Sequence, residues 1–560
     1  MATATLSQPT EEERLAADDA AHAVSDAAWK PRANQWAIAL TVTLATFMEV
    51  LDTSIANVAL PHIGGSLGAS QDEATWVLTS YLVANAVILP ASAYLTTFIG
   101  RKKFYMICVA LFGISSALCG LAPTLPLLVF FRVLQGIGGG GLAPSEQAIL
   151  ADTFPPAKRG QAFAMYGLAV VCAPAIGPTL GGYITDNFNW RWIFFLNVPI
   201  CLLSLFLTSR IVEDPPWVAK EVKANKKGGM KLDFAGFALV AMTFGSLEFV
   251  LDKGQEDDWF SSHMILFFVC LMIVAFIGLL WWELRQLRIG KKPLLNLTLF
   301  KRRQFAISFT LMFVLGFSLY ATTILIPQFV QTLLGYTAEL AGLVLSPAGL
   351  MMMCMMPVVG FLSGKVDPRK LIGYGFLMLT LSLFWMGNLN LQLSYPQLVF
   401  MRIFQASGLA FLFIPINTIA YIGVKQTENN DVSGLTNLAR NIGGSCGTAF
   451  MATMLIRRTA THESNMVRNL TNGNSGYSSQ VRELARSFKP GNGAGPVGGG
   501  PSVGAAHQAQ AFIYNQMHRQ AGTLAYVDII HYLMIFCACM LPVLFFIPKP
   551  PKNASPSAGH

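Results

Sequence analysis

Apolar residues in this chain come in long unbroken blocks, without the one-sided pattern of a surface helix or the alternation of a half-buried strand. Fourteen blocks approach the roughly 20 residues needed to cross ~30 Å of hydrocarbon. They lie at 36–60, 74–97, 104–122, 126–151, 161–184, 191–209, 234–251, 263–283, 305–329, 339–363, 371–388, 397–421, 435–456 and 527–547. Only helices and closed barrels satisfy their backbone in lipid, and these runs do not alternate as barrel strands do. The pattern therefore predicts an all-α integral membrane protein with fourteen transmembrane helices. Polar segments frame the blocks. Residues 1–35 are Ala-rich, carry Glu11, Glu12, Glu13, Asp18 and Asp19, and have no apolar run within signal-peptide reach, which predicts a disordered cytoplasmic tail. Between the last two spans, 457–526 reads as a long outer loop with polar helices at 458–489 and 505–525 around a Gly- and Pro-rich spacer at 490–504.

Composition agrees with lipid as the solvent: of 560 residues, 53% are hydrophobic and 12% charged, against about 25% charged in ordinary soluble domains. The net charge of +9 implies no nucleic-acid partner once the basic residues are placed. With the N-terminus in the cytoplasm, 27 of the 39 Lys and Arg fall in cytoplasmic segments, and the short outer loops hold only Arg191 and Lys253. This bias predicts both termini on the cytoplasmic side. No cofactor is implied. The nine cysteines lie in apolar runs without zinc-like spacing, and read as small core residues. The glycine run Gly138–Gly141 sits in an apolar helix with no Lys-Ser/Thr after it, so it predicts tight helix contact and not a phosphate loop, which argues against an ATP-driven pump.

An internal repeat organises the spans. Arg132-Val-Leu-Gln135-Gly-Ile-Gly138 in span four matches Arg402-Ile-Phe-Gln405-Ala-Ser-Gly408 in span twelve. Each follows a short basic turn, Gly100-Arg101-Lys102 in the first half and Asp367-Pro-Arg369-Lys370 in the second. Repeated halves with a binding site near the midplane are a common plan of secondary transporters. The expected division is a tail at 1–35, a six-helix bundle at 36–209, two inserted helices with linkers at 210–304, a second bundle at 305–547, and a cytoplasmic tail at 548–560.

Ionisable groups inside spans are functional candidates by default. Span one carries Glu49 and Asp52, three residues apart and so on nearly one helical face. By helical rise Asp52 lies about 12 Å from the outer end of its span and Arg132 about 9 Å from the same side, so the two can meet. Such a pair serves either as a fixed structural salt bridge or as a proton-coupling device, in which the carboxylate exchanges a proton as water access and the distance to Arg change. Glu49 is a candidate second proton or substrate site, and Glu146, Gln147 and Asn57 are candidate substrate contacts; for Glu146 an interfacial carboxylate in water is the competing reading. Arg402 has no matching acid in span nine, which suggests a structural role. In span five Gly177 and Gly181 form a GxxxG pair, and Gly182, Pro174 and Pro178 add further breaks, a composition suited to close helix approach and bending.

Several motifs together resemble a known family. Leu51-Asp52-Thr-Ser-Ile-Ala-Asn57-Val-Ala-Leu-Pro61, Gly177-Pro178-Thr-Leu-Gly181-Gly182, Trp190-Arg191-Trp192-Ile-Phe-Phe-Leu-Asn197-Val-Pro199 and Pro293-Leu-Leu-Asn296 occur in order at the expected spans. The chain thereby resembles the major facilitator superfamily, in particular the fourteen-spanner drug:proton antiporters of the EmrB/QacA type, over residues 36–547. The resemblance implies a 6+2+6 helix arrangement, no enzymatic activity, and export of small lipophilic compounds against protons at a bacterial inner membrane. It associates the span-five motif with antiport, and assigns Gly100 and Arg101 to a gating loop between spans two and three. That loop departs from the family pattern: Ala93 and Thr97 stand where Gly and Asp are usual, and Asp152 is a possible partner for Arg101 instead. The segment Gln520–Asp528 is similar to Gram-negative members of the EmrB branch, which implies a periplasmic adaptor protein and an outer-membrane channel as partners; the long loop is otherwise a tether. Drugs, fatty acids, other lipids and siderophores all fit as substrates. A proton-coupled nutrient symporter would call for a narrow polar site, whereas Met351, Met352, Met353, Met355 and Met356 suit adaptable apolar binding.

Overall fold

The helices begin and end on residues that complete or interrupt their backbone hydrogen bonding. The computed structural model describes residues 29–227, 232–468, 470, 475–487 and 503–547. The acidic stretch of the expected tail, most of the Gly-rich spacer and the segment from 548 onward lie outside the described residues. Helix α1 (Gln35–Leu67) starts at Asn34, whose side chain accepts from the Trp36 amide at 2.9 Å, and stops at Gly68 with φ 65°. A Ser70–Glu73 capping box opens α2 (Gln71–Ile99). One residue, Gly100 at φ 92°, joins α2 to α3 (Arg101–Leu121), a conformation that side chains with a Cβ rarely adopt. The next span is in two pieces, α4 (Leu125–Gly139) and α5 (Leu142–Thr153), parted at Gly140-Gly141. A Cβ at Gly138 would lie 2.7 Å from the Phe112 amide, and one at Gly140 2.6 Å from the Asn85 carbonyl, so the glycine run is where α4 sinks between α2 and α3.

Helix α6 (Arg159–Asn187) bends after Pro174 and is followed by the short α7 (Trp192–Phe195) and by α8 (Asn197–Ile211). The connector helix α9 (Pro216–Lys227) precedes the hairpin of α10 (Phe234–Lys253) and α11 (His263–Arg288). The second half contains α12 (Arg303–Thr332), α13 (Ala338–Ser363), α14 (Pro368–Met386), α15 (Tyr395–Ala420) and α16 (Asn429–Val467). After it come α17 (Ser475–Ser487) and α18 (Val503–Ala538). Among the described residues eleven helices are long and apolar enough to cross a membrane, or twelve with the bent α6. Helices α14 and α16 complete the bundle without meeting that mark, which is consistent with fourteen spans. The first opens on Pro368-Arg369-Lys370, which lowers the mean hydropathy of its 19 residues, and the second opens on a polar run from Asn429 to Asn437 that is buried against protein.

Packing follows the repeat. In the first half α1 lies along α6, while α2 and α3 flank α4; in the second, α12 lies along α16 and α14 along α15. The halves meet through α6 with α13 and α2 with α16. The hairpin α10–α11 stays outside: α10 rests on α2 and α16, and the outer α11 exposes Val274, Ile277 and Phe267 by 61–69%. The cysteines divide differently from the sequence expectation. Cys108, Cys119, Cys172, Cys201 and Cys537 are core residues, whereas Cys270, Cys354 and Cys539 are exposed and Cys446 is half-buried. An apolar run does not distinguish a core-facing from an outward-facing position when both solvents are apolar.

Candidate functional site

Asp52, at mid-helix in α1, is 2% exposed and surrounded by donors from two other helices. Arg132 Nη1 of α4 donates to its Oδ2 at 2.5 Å. Gln135 Nε2, one turn further along α4, donates to Oδ1 at 3.0 Å, and Asn197 Nδ2 of α8 donates to the same oxygen at 2.7 Å. The arginine is held in turn. Its Nη1 also reaches Gln135 Oε1 at 2.8 Å, its Nε donates to the Val77 carbonyl at 2.9 Å, and its guanidinium carbon lies 4.5 Å from the Tyr81 ring centroid. Asn197 and Ser116 of α3 close the circuit at 2.9 Å. Spacing along the sequence brought Asp52 and Arg132 to similar depth; the roles of Gln135 and Asn197 come only from the fold, although a lone Asn in an apolar span is a signal in itself.

The other acidic candidates occupy separate places. Asn85 Nδ2 donates to Glu49 Oε1 at 3.0 Å, and Glu49 Oε2 is buried with no hydrogen-bond partner among the described residues. Glu146 is fully buried, accepting from Thr43 Oγ1 at 2.6 Å, so the structure corrects the reading of an interfacial carboxylate in water. Gln147 joins the seam between halves: its Nε2 is 3.4 Å from Asn417 Oδ1, and its Oε1 accepts from Asn437 Nδ2 at 2.8 Å. Tyr166 of α6 donates to Asn437 Oδ1 at 2.7 Å and accepts from Arg440 Nη1 at 2.5 Å. Arg440, buried in α16, was not singled out in the sequence, although an arginine within an apolar span is the same signal that marked Arg132.

At the basic end the two halves are latched. Arg101 forms a buried ion pair with Asp152 and donates from Nη2 to the Gln426 carbonyl of the other half at 3.1 Å. Asn429 Nδ2 donates to Asp152 Oδ1 at 2.7 Å, and Asn430 bonds Thr96. Gly160 and Ser363 touch there as well: a Cβ on the glycine would lie 2.8 Å from that of the serine. The Pro293–Asn296 motif ties α16 down, Asn296 Nδ2 donating to Asp431 Oδ2 at 3.0 Å. Gly100 is packed against Asp214, which accepts from the Lys102 amide at 2.8 Å.

At the opposite end the halves part. A cleft of about 770 Å³ opens between α1, α6, α12 and α13, lined among others by Asn57, Pro178, Gly182, Tyr183, Pro327 and Gln328. Asn57 is exposed in it, whereas Asp52, Glu49, Glu146 and Gln147 are not on its wall. Gly177 and Gly181 bring α6 onto α1: a side chain at 177 would collide with Ser54, and one at 181 would lie 3.1 Å from Ile55 Cγ2. At its floor the cleft runs into a 70 Å³ pocket that shares Pro174, Thr323 and Leu345 with it and adds Met352, Leu409, Arg402 and Gln405. Two like halves, sealed at one end and open at the other around a central cavity, form the architecture of an alternating-access carrier.

Residues 42–448 match the model of the Major Facilitator Superfamily. The chain belongs to this superfamily. It is a multi-pass membrane transporter, 34% identical to the multidrug export protein EmrB of Escherichia coli K12 over 522 residues, 93% of this chain and 96% of the relative. It is 37% identical to the fatty acid resistance protein FarB of Neisseria gonorrhoeae over 451 residues, 80% and 85% of the two chains. Among solved structures the superfamily fold recurs in the proton:xylose symporter XylE, with TM-score 0.54 and 15% identity over 92% of this chain and 96% of that one. The human organic anion transporter MFSD10 is alike at TM-score 0.54 and 12% identity, over 90% and 99%.

Proposed function

We propose that this superfamily member exports lipophilic compounds from the cytoplasm of a bacterial cell across the inner membrane in exchange for protons, with both termini cytoplasmic. The observation that carries the reading is the Asp52–Arg132 pair: a carboxylate wholly buried in lipid-spanning helices, shared among α1, α4 and α8. Protonating Asp52 removes the charge that holds Arg132, and loosens α1 from α4 and α8 together; releasing the proton restores the grip. Because α1 also lies along α6 at the cleft, a change at Asp52 is transmitted to the wall that substrate touches. The apolar lining around Met352, Leu345 and Leu409 favours lipophilic cargo over a sugar-like nutrient, and kinship with EmrB and FarB points the same way. A partnership with a periplasmic adaptor and an outer-membrane channel belongs to this reading, supported by the helical excursion after α16. In reconstituted vesicles, Asp52→Asn is expected to lose at least tenfold in substrate-driven proton release, with Asp52→Glu retaining more. Proton exchange at the wild-type rate in Asp52→Asn would refute the coupling role.

A further inference from the structure

The two copies of the repeat build the same arginine–glutamine fork, but only one fork holds a carboxylate. In the first half Arg132 Nη1 reaches Gln135 Oε1, Arg132 Nε reaches a backbone carbonyl of a neighbouring span, and Asp52 accepts from Arg132 Nη1 and Gln135 Nε2, so that only Arg132 Nη2 is left without a hydrogen bond among the described residues. In the second half Arg402 likewise bonds Gln405 Oε1, and its Nη1 lies 3.5 Å from the Thr322 carbonyl of α12. There the likeness stops. Helices α12, α14 and α15 contain no Asp or Glu, Arg402 has no ion-pair partner among the described residues, and Arg402 Nε and Gln405 Nε2 are buried without partners. Arg402 is 8% exposed, and both side chains line the 70 Å³ pocket at the floor of the cleft. A buried guanidinium without a counter-charge is costly, its planar fork matches the two oxygens of a carboxylate, and the apolar walls beside it suit a carboxylate that carries a hydrocarbon tail.

We infer that Arg402 and Gln405 are the anchor for the carboxylate of a lipophilic acid, whose apolar tail lies along the Leu345–Met352–Leu409 wall into the cleft. The ligand would supply in the second half what Asp52 supplies in the first. This replaces the purely structural role that the sequence suggested for Arg402. It deepens the export reading by naming a substrate class and rests on it for transport, but binding itself needs no proton gradient.

The test uses the full chain in phosphatidylcholine nanodiscs, with dodecanoate and 1-dodecanol as probes of equal chain length, at a pH where dodecanoate is ionised. Wild type is expected to bind dodecanoate roughly ten- to hundredfold more tightly than the alcohol, the range of a charge-assisted hydrogen-bonded contact. Arg402→Gln is expected to erase that preference while keeping affinity for the alcohol, and Arg402→Lys to restore part of it. Should Arg402→Gln fail to fold, Ala406→Asp serves instead. It places a carboxylate one turn from Arg402 on the same wall, satisfying the arginine internally, and should weaken dodecanoate binding where Ala406→Asn does not. Equal binding of acid and alcohol by wild type, or undiminished acid preference in Arg402→Gln, overturns the inference. Because no gradient is present, either result leaves the Asp52 coupling experiment untouched; equally, proton-uncoupled transport by Asp52→Asn would leave the carboxylate anchor standing.

Discussion

Asn197 and Asn57 are both asparagines in family-like motifs, and burial separates their roles. Asn197 is 1% exposed and supplies one of the three donors to Asp52, at 2.7 Å. Its loss leaves a buried carboxylate oxygen under-satisfied and takes a donor from Ser116 Oγ, so Asn197→Ala is expected to destabilise the protein by about 1–3 kcal/mol. Asn57 faces the open cleft, and Asn57→Ala is expected within ±0.5 kcal/mol of wild type. Thermal melts of the two variants in the same detergent check this contrast; equal melting points would mean that the donor ring around Asp52 contributes nothing to stability. Arg101 teaches the same lesson. In the sequence its usual acidic partner is missing, Thr97 standing in its place, and Asp152, the alternative that the sequence offers, is the acid that the fold brings to it from the end of α5. Which acid meets which base is fixed by helix rotation, and single-residue spacing leaves that undetermined.

At the scale of elements, the breakers in α6 were legible as breakers but not as a contact with a named partner. The structure shows α6 pressed against α1 at Gly177 and Gly181, while Gly182 faces open space. Replacing Gly182 by Ala should therefore be tolerated. Gly177→Val should not, because the added side chain must displace Ser54 of α1, and overpacking of this kind typically costs about 1–3 kcal/mol. If α6 slides on α1 during transport, Gly177→Val is also expected to lower the transport rate more than it lowers the melting temperature. Comparable melts and rates for Gly177→Val and Gly182→Ala would reject the close-contact account. The ends of the long outer loop were read as separate polar helices. In the structure α16 runs unbroken to Val467 and α18 starts at Val503, so both flanking spans extend well past hydrocarbon length. They are tied together by Arg458 and His462 of α16 on Asp528 of α18, at 2.7 and 2.8 Å. Such an extension is a stiff platform, better suited to carrying a partner than a slack tether is.

For the whole molecule, the proposals of sidedness and of an adaptor share one experiment. In a background without native cysteines, a single Cys at Ser502, just before α18, is expected to react with a membrane-impermeant thiol reagent in intact spheroplasts. Co-expression of a cognate adaptor should protect it. Labelling only after lysis would reverse the orientation, and labelling indifferent to the adaptor would remove the platform role. The sequence by itself determined the class of the molecule. Uninterrupted apolar blocks have one solution in lipid, basic residues prefer one side, and the repeated Arg-x-x-Gln motif exposed the two halves. It also set Asp52 and Arg132 at similar depth, because helical rise converts residue count directly into distance. Only the tertiary structure decided which faces of those helices look at one another. It turned Glu146 from the interface into the core, kept Glu49 off the cleft wall, recruited Gln135 and Asn197 to Asp52, and left Arg402 facing the cavity without a counter-charge. The reason is that in an apolar solvent hydrophobicity no longer tells inside from outside, so helix rotation is set by close packing at small residues and by the pairing of buried polar groups. Both are relations between residues far apart in the chain.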